Sequence, residues 1–131
     1  MTVERVRGDL LAADCEALVN AVNTVGVMGK GIALAFKRRF PDNFAAYREA
    51  CQRGVLRTGR VFVHERGEGE TPRWTVNFPT KQHWRGSTRL EWIKSGLDDL
   101  VAAVRIREIR SLAIPRWAVG WAVSTRPWWR P

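Results

Sequence analysis

Apolar and polar residues along the first third of the chain predict two strands followed by two helices. Residues 2–7 alternate, which is typical of a strand, and residues 17–22 form the short apolar run of a buried strand. Residues 32–40 show helical spacing, and Pro41 is expected to end that helix. Asp42 is placed to cap the next helix.

The remainder of the chain predicts strands around one long helix. Thr88 and Glu91 form a capping-box pattern, so the clearest helix is expected to begin beside them. Three further strands are predicted at residues 61–63, 74–78 and 111–114. Helices interleaved with strands in 131 residues predict one layered α/β domain with a parallel or mixed sheet.

The charge balance favours a polyanionic partner. The chain holds 22 Lys and Arg residues against 13 Asp and Glu residues, a formal net charge of +9. A basic surface attracts nucleic acids and other polyanions. The alternative explanation is a GC-rich coding sequence without functional meaning. Arg outnumbers Lys by 18 to 4, as expected from GC-rich codons.

Other features of the sequence argue against a membrane protein, a secreted scaffold and a metalloprotein. No apolar run approaches the roughly 20 residues that cross a bilayer, and the N-terminus does not resemble a signal peptide. Cys15, Cys51, His64 and His83 show no metal-binding spacing. We therefore expect a cytoplasmic protein with two reduced thiols, no metal and no cofactor.

A glycine-rich segment at residues 26–31 lies between the buried strand and the first helix. Such a loop offers free backbone N–H groups at a helix N-terminus, which suits a phosphate. It is not a Walker A loop, because Lys30 is followed by Gly31 and not by Ser or Thr. Taken alone, the segment is equally explained as a tight turn.

Two other segments carry polar residues beside predicted strands. Pro79 is expected to end a strand, which leaves Lys81 just beyond it, where α/β sheets bind ligands. A lysine there is a nucleophile, a fixed positive charge or a solvated side chain. Trp84 either stacks on a base or covers a core edge. Asp9 follows the first strand, where it accepts a hydrogen bond from an exocyclic amine or caps a turn.

Together these segments closely resemble the macrodomain family. The residues that carry the resemblance are GDLL at 8–11, ALVNAVNTVGVMGKGIA at 17–33 and NFPTKQHW at 77–84, in order within residues 3–115. The second and third segments resemble one branch, the DNA ADP-ribosyl glycohydrolase antitoxins that pair with DarT-type toxins. The resemblance implies a three-layer α/β/α macrodomain with a mixed sheet and a cleft for ADP-ribose. It also implies a monomeric hydrolase of DNA repair, which removes ADP-ribose from thymine in single-stranded DNA by breaking the glycosidic link at C1″.

The resemblance also implies roles for individual residues. Lys81 matches the catalytic lysine of the branch, and it either attacks C1″ or stabilises charge there. Asp9 contacts the adenine, Asn23 holds the distal ribose and Asn20 supports the end of that strand. The full set of implied ADP-ribose contacts is Asp9, Leu10, Asn20, Asn23, Gly29, Lys30, Gly31 and Ile32. His83 and Trp84 are the expected DNA contacts.

The last residues depart from the family pattern. After the body, residues 1–115, the family continues with a second phosphate loop of the kind PLGxGLGGLDW, then a helix and a strand. Residues 116–131 instead hold four Trp, three Arg and no acid. When RWAVGWAVST is back-translated and the frame is shifted back by one nucleotide, the codons permit PLGxGLGGLD, so we interpret this tail as a frameshift product. We expect a C-terminally truncated domain without its last strand and helix.

Three functions remain open from the sequence. The first is an ADP-ribosyl glycohydrolase whose activity the altered tail impairs. The second is a module that binds ADP-ribose without hydrolysing it, and Lys81 argues for the enzyme. The third is an inactive remnant. A natural Trp-rich tail that binds DNA or a partner is the alternative to the frameshift.

Overall fold

A computed structural model describes the backbone of residues 2–5 and the complete residues 14–114. Its elements are β1 (Thr2–Arg5), β2 (Ala17–Asn23), α1 (Gly31–Arg39), α2 (Pro41–Gln52), β3 (Phe62–Glu65), β4 (Trp74–Lys81), α3 (Leu90–Arg107) and β5 (Ser111–Ile114). Asp9, Leu10 and the proposed frameshift tail at residues 116–131 lie outside the described residues.

The five described strands form one mixed sheet in the order β1-β5-β2-β4-β3. The strands β1, β5, β2 and β4 run parallel, and β3 pairs antiparallel with β4. Strand β2 lies at the centre of the sheet, and all of its residues except Ala21 are buried. A central parallel strand is covered on both faces, which explains its continuous apolar run. The predicted mixed sheet is confirmed.

Helices cover both faces of the sheet, so the predicted three-layer arrangement is also confirmed. Successive residues of β2 point to opposite faces: Val19 packs on the α3 side, and Leu18 packs beside Phe36 of α1. The α3 side holds Ala17, Val19, Val76, Phe78, Ile93, Leu97, Leu100, Val104, Ile109, Leu112 and Ile114. A further cluster on the α2 side contains Val22, Met28, Tyr47, Ala50 and Leu56. The fold is therefore a sandwich in which helices pack on both faces of one sheet.

Strand β4 is longer than the sequence predicts. Pro79 does not end it, because pairing with β2 continues from Val22 opposite Pro79 to Asn23 opposite Lys81. The register shifts between Val22 and Asn23, an irregularity of the kind that accommodates a proline inside a sheet. Lys81 is consequently the last residue of β4, and the sheet fixes its position.

Both predicted side-chain caps are wrong. Helix α3 begins at Leu90 after Arg89, and no side chain caps it, so Thr88 and Glu91 form no capping box. Helix α2 has Pro41 as its first residue, where a missing N–H costs nothing. Asp42 lies inside its first turn and binds His64 and Arg66 instead of capping it. Burial raises the pKa of Asp42, but the hydrogen bond from His64 and the Arg66 charge outweigh burial and hold it below its ordinary value.

A buried polar network ties α2 to the sheet. The Asn43 side chain accepts hydrogen bonds from Thr75 Oγ1 at 2.7 Å and from Asn77 Nδ2 at 2.9 Å, and its own amide donates to Asn77 Oδ1 at 3.0 Å. All three residues are fully buried. Buried polar groups are tolerated when they are paired, so this network fixes where α2 docks on β4.

Position 96 of α3 needs a glycine, because the Phe78 ring leaves no room there for a side chain. A Cβ at this position would lie against Cζ of Phe78 and 2.7 Å from its Cε1, and both residues are buried. We expect Gly96→Ala to lower the free energy of unfolding by about 1–3 kcal/mol, because overpacking outweighs the better helix propensity of alanine. Urea unfolding followed by circular dichroism measures the change. Lys94→Ala, on the exposed face, is the control, and equal stability of the two variants would contradict the packing argument.

Candidate functional site

A cleft of about 510 Å³ opens where β2 and β4 end. Its lining residues are Ala21, Val22, Asn23, Val27, Gly29, Lys30, Ala33, Thr80, Lys81 and Trp84. This volume lies in the range typical of small-molecule sites, and the carboxyl ends of parallel strands are where such sites form. The cleft therefore lies at the strand ends where the sequence predicts the ligand-binding residues.

The structure brings five of the nine described candidate residues together in the cleft. Asn23, Gly29, Lys30, Lys81 and Trp84 all line the cleft. Of the other described candidates, none lines the cleft: Asn20, Gly31, Ile32 and His83 lie beside it. The sequence also did not identify Val27, Ala33 and Thr80 as lining residues, because they are apolar or lie inside an element.

Asn20 and Ile32 occupy contrasting environments. Asn20 is fully buried in β2, where its Nδ2 lies 3.9 Å from the sulfur of Met28 and its Oδ1 has no partner among the described residues. Ile32, in the first turn of α1, is 44% exposed. Asn20 can therefore act only from beneath the cleft, whereas Ile32 presents apolar surface beside it.

The Asn23 side chain organises the loop between β2 and α1. Its Oδ1 accepts the backbone N–H groups of Val25, Gly26 and Val27 at 3.1, 3.1 and 3.3 Å. Its Nδ2 donates to the Val27 carbonyl oxygen at 2.8 Å. Gly26 adopts a φ of +90°, which L side chains rarely do, so the turn needs glycine there. One asparagine amide thus holds the glycine-rich loop in a closed turn.

Tyr47 of α2 supports Asn23 from the core, a contact that the sequence did not reveal. Its hydroxyl lies 2.8 Å from both the Oδ1 and the main-chain oxygen of Asn23 and donates to them. Burial raises the pKa of Tyr47 well above its usual range, and the neighbouring Cys51 thiol adds to the rise. Burial also raises the pKa of Cys51. The tyrosine therefore stays protonated and remains a donor.

Lys81 is held in place by the loop that Asn23 shapes. The Thr24 N–H donates to the Lys81 carbonyl oxygen at 3.1 Å, and Thr24 Oγ1 donates to the Gln82 carbonyl oxygen at 2.9 Å. The Lys81 side chain is half-buried and forms no ion pair with residues 14–114. Its ammonium or amine is therefore available to a bound ligand.

The charge and backbone of the cleft suit a phosphate group. Lys30 and Lys81 line it, and no carboxylate from residues 14–114 does. Helix α1 begins directly after Lys30, and no side chain caps it. The N–H groups of an uncapped first turn and the positive end of the helix both favour an anion.

An exposed aromatic platform stands at one rim of the cleft. Trp84 is 44% exposed, and the guanidinium carbon of Arg85 lies 4.3 Å from the centre of its ring. The His83 ring lies 5.1 Å from the Trp84 ring, and its Nδ1 accepts the Arg85 N–H at 3.1 Å. Arg85 was not identified from the sequence. A stacked Trp–Arg pair is a surface on which a nucleic-acid base can lie.

Residues 14–114 contain no group of three His, Cys, Asp or Glu side chains that could hold a metal ion. Cys15 is buried and Cys51 is half-buried, and no disulfide joins these two residues. Among the helices described here, none has the length and hydropathy needed to cross a membrane.

Comparisons with known proteins agree with the geometry. A profile of the Macro domain family matches residues 19–124. A curated relative from Thermus aquaticus, named DNA ADP-ribosyl glycohydrolase, is 56% identical over 88% of this chain and 32% of its own length. A relative of the same name from Mycobacterium tuberculosis is 54% identical over 86% of this chain and 32% of its own length. The chain thus spans about a third of these curated relatives.

Solved structures of the same kind share the fold. The macrodomain of Thermus aquaticus DarG has a TM-score of 0.83 at 55% identity, covering 87% of this chain and 76% of that one. The macrodomain of Mycobacterium tuberculosis DarG has a TM-score of 0.84 at 51% identity, covering 92% and 79%. Thermosipho africanus DarTG in complex with ADP-ribose gives 0.79 at 33% identity, covering 92% and 34%.

Proposed function

This chain belongs to the macrodomain family, and from that membership we propose that it removes ADP-ribose from thymine bases in single-stranded DNA. The observation that carries the proposal is Lys81, a lysine free of ion pairs with residues 14–114 and fixed at the end of β4 in the cleft. Its support from outside the chain is the shared name of its relatives at 54–56% identity, DNA ADP-ribosyl glycohydrolase.

ADP-ribose would lie along the cleft with its diphosphate over the glycine-rich loop. Gly29, Lys30 and the uncapped N-terminus of α1 supply donors and positive charge there. The distal ribose would then lie over Asn23 and Lys81, which are paired in register on the neighbouring strands β2 and β4. Asn20 supports this strand end from below, with Gly31 and Ile32 at the start of α1. Adenine recognition is assigned to Asp9 and Leu10.

Lys81 has two possible roles in the reaction. A neutral amine can attack C1″, so that a carbon–nitrogen bond forms to Nζ while the bond from C1″ to the thymine breaks and its electron pair leaves with the base. Water then releases ADP-ribose from the lysine. A protonated ammonium instead stabilises the negative charge that develops on the departing base while water attacks C1″. Both roles need Nζ beside C1″, which its place in the cleft permits.

The rim of the cleft supports a DNA substrate. Trp84, with Arg85 stacked on it and His83 beside it, provides an exposed surface for a base next to the modified thymine. The positive net charge supports the same partner. We therefore assign His83, Trp84 and Arg85 to DNA contact.

For the biological setting we propose a cytoplasmic, monomeric antitoxin that repairs DNA modified by a DarT-type toxin. Support comes from the Thermosipho africanus relative, a DNA ADP-ribosyl transferase–DNA ADP-ribosyl glycohydrolase fusion protein, 34% identical over 88% of this chain and 34% of its own length. Because the chain spans a third of such relatives, these properties of the whole protein are part of the proposal.

The tail at residues 116–131 stays a proposed frameshift product that impairs the activity. Resequencing the gene tests it, and a clean read without a single-base change that restores the PLGxGLGGLD frame would refute it. Repeating the hydrolysis assay on a frame-restored chain would then measure the impairment.

Release of ADP-ribose tests the proposed function. The purified chain is mixed with a single-stranded oligonucleotide carrying one ADP-ribosylated thymine, and free ADP-ribose is measured by liquid chromatography. We expect release that depends on Lys81. Binding of ADP-ribose by calorimetry without release would support the alternative of a binding module. Neither binding nor release, together with a circular dichroism spectrum of an unfolded chain, would support an inactive remnant.

A further inference from the structure

A second cleft adjoins the first one at the residues that follow β2 and β4. It has a volume of about 440 Å³ and is lined by Thr24, Leu56, Arg57, Thr58 and Gln82. None of these residues lines the first cleft, and the proposed function uses none of them as a ligand contact. The second cleft is therefore a separate space whose occupant is still to be assigned.

The wall between the clefts is one residue thick on each strand. Asn23 and Lys81 line the first cleft, and the residues that follow them, Thr24 and Gln82, line the second. Asn23 lies opposite Lys81 in the sheet, and the Thr24 N–H donates to the Lys81 carbonyl oxygen across this wall. Thr24 Oγ1 donates to the Gln82 carbonyl oxygen on the side of the second cleft. A molecule that leaves the first cleft beside Lys81 thus meets the second cleft at once.

The chemistry of the second cleft suits a phosphodiester. Arg57 is exposed, and its guanidinium has no hydrogen bond or ion pair with residues 14–114. The side chains of Thr58 and Gln82 are hydrogen-bond donors that are likewise unused within those residues. Among the described residues, no carboxylate lines this cleft. A cation beside two neutral donors is a combination that proteins use to contact the phosphates of a DNA backbone.

The surrounding loops add positive charge without acids. Residues 53–61, between α2 and β3, contain three Arg and no Asp or Glu. Residues 82–89, between β4 and α3, contain Arg85 and Arg89 and no acid. The first of these loops packs on α3, because Gly59 lies against Ser95 and the Val61 N–H donates to Asp99 at 2.8 Å, which pairs that carboxylate with the backbone. This edge of the molecule therefore attracts a polyanion as a whole.

We propose that the second cleft binds the phosphodiester next to the ADP-ribosylated thymidine, with Arg57 as its main contact. This inference rests on the proposed function, because a thymine joined to C1″ would leave the first cleft beside Lys81. The strand then crosses the wall at Thr24 and Gln82, with one neighbouring phosphate on Arg57 and a neighbouring base on the Trp84–Arg85 platform. The enzyme would thus recognise a modified DNA strand rather than a modified nucleoside.

Arg57→Gln tests the site through binding in a Lys81→Ala background, which prevents turnover. Fluorescence anisotropy gives the affinities for two competitors: an oligonucleotide with one ADP-ribosylated thymine, and ADP-ribosylated thymidine, which has no flanking phosphodiester. We expect the preference for the oligonucleotide, the ratio of the two affinities, to fall about tenfold. The dependence of log affinity on log salt should fall by about 0.7, the value for one single-strand phosphate contact. Arg57→Lys should retain most of the preference for the oligonucleotide and most of the salt dependence.

Arg53→Gln is the matched control. Arg53 is an exposed arginine of the same loop, like Arg57, but it pairs with Glu49 and does not line the second cleft. We expect it to leave the preference unchanged. An unchanged preference in Arg57→Gln, or an equal loss with Arg53→Gln, would overturn the proposal. Equal weakening of both competitors by Arg57→Gln would also overturn it, since the cleft would then hold part of ADP-ribose itself. The release assay tests hydrolysis separately, so failure of the enzyme and failure of this site are distinguishable.

Discussion

Replacing Lys81 with Ala is expected to lower the rate of ADP-ribose release from modified DNA by about 10³-fold or more. The reason is that Lys81 carries the only cationic side chain of β4 and lines the cleft, where it is paired in register with Asn23 of β2. Affinity for ADP-ribose should change much less, because the glycine-rich loop and Lys30 still hold the diphosphate. Single-turnover kinetics and calorimetry measure the two quantities separately.

Lys81→Arg separates the two possible roles of the lysine. Arginine keeps the positive charge but is effectively always protonated, so it cannot attack C1″. If the lysine is the nucleophile, Lys81→Arg should be as slow as Lys81→Ala. If its charge stabilises the departing base, Lys81→Arg should retain a measurable fraction of the rate. Lys94→Ala, an exposed lysine on α3, is the control for loss of a lysine as such. Normal release by Lys81→Ala would refute the proposed catalytic role.

Replacing Asn23 with Ala is expected to destabilise the fold and to weaken ADP-ribose binding together. The change removes the acceptor for three backbone N–H groups and leaves the buried Tyr47 hydroxyl only the main-chain oxygen of residue 23. Unpaired buried donors cost about 1–3 kcal/mol each, and partial access of water to the loop lowers the total to about 2–4 kcal/mol. The loop then loses its closed turn, and we expect affinity for ADP-ribose to fall about 100-fold.

Asn23→Asp is the matched variant that separates folding from binding. A carboxylate still accepts the three N–H groups and the Tyr47 proton, so stability should stay closer to the original than in Asn23→Ala. It loses the bond from Nδ2 to the Val27 carbonyl oxygen and places a negative charge in the cleft, which repels the diphosphate. Urea unfolding and calorimetry measure both effects. An Asn23→Ala chain that is as stable as the original would contradict the role of the amide in the loop.

The sequence predicted most elements because their signals are local. The apolar run of β2, the glycine-rich loop and the strand at Ser111–Ile114 were each located from short stretches. The ends of elements were harder to predict. Strand β4 passes through Pro79 because a register shift against β2 accommodates it, and Asp42 does not cap α2 because it contacts His64 and Arg66. These outcomes depend on partners far away in the sequence.

The candidate site shows the same division. Lys81, Asn23 and the glycine-rich loop were found because they lie in contiguous motifs beside strand ends. Tyr47 and Arg57 were missed, since both lie on segments whose local pattern is that of an ordinary helix and an ordinary loop. The sheet register sets Asn23 opposite Lys81. The packing of α2 and of the loop after it then brings Tyr47 to Asn23 and Arg57 beside Thr24 and Gln82.

The sequence by itself determined the order of strands and helices, the family, and the residues that carry the proposed chemistry. Periodicity and short motifs record these properties, because they depend on residues a few positions apart. The tertiary structure alone decided that Tyr47 supports Asn23, that Gly96 leaves room for Phe78, and that two clefts share one wall. Those contacts join residues that are distant in the chain, and only packing of the sheet and its helices brings them within reach.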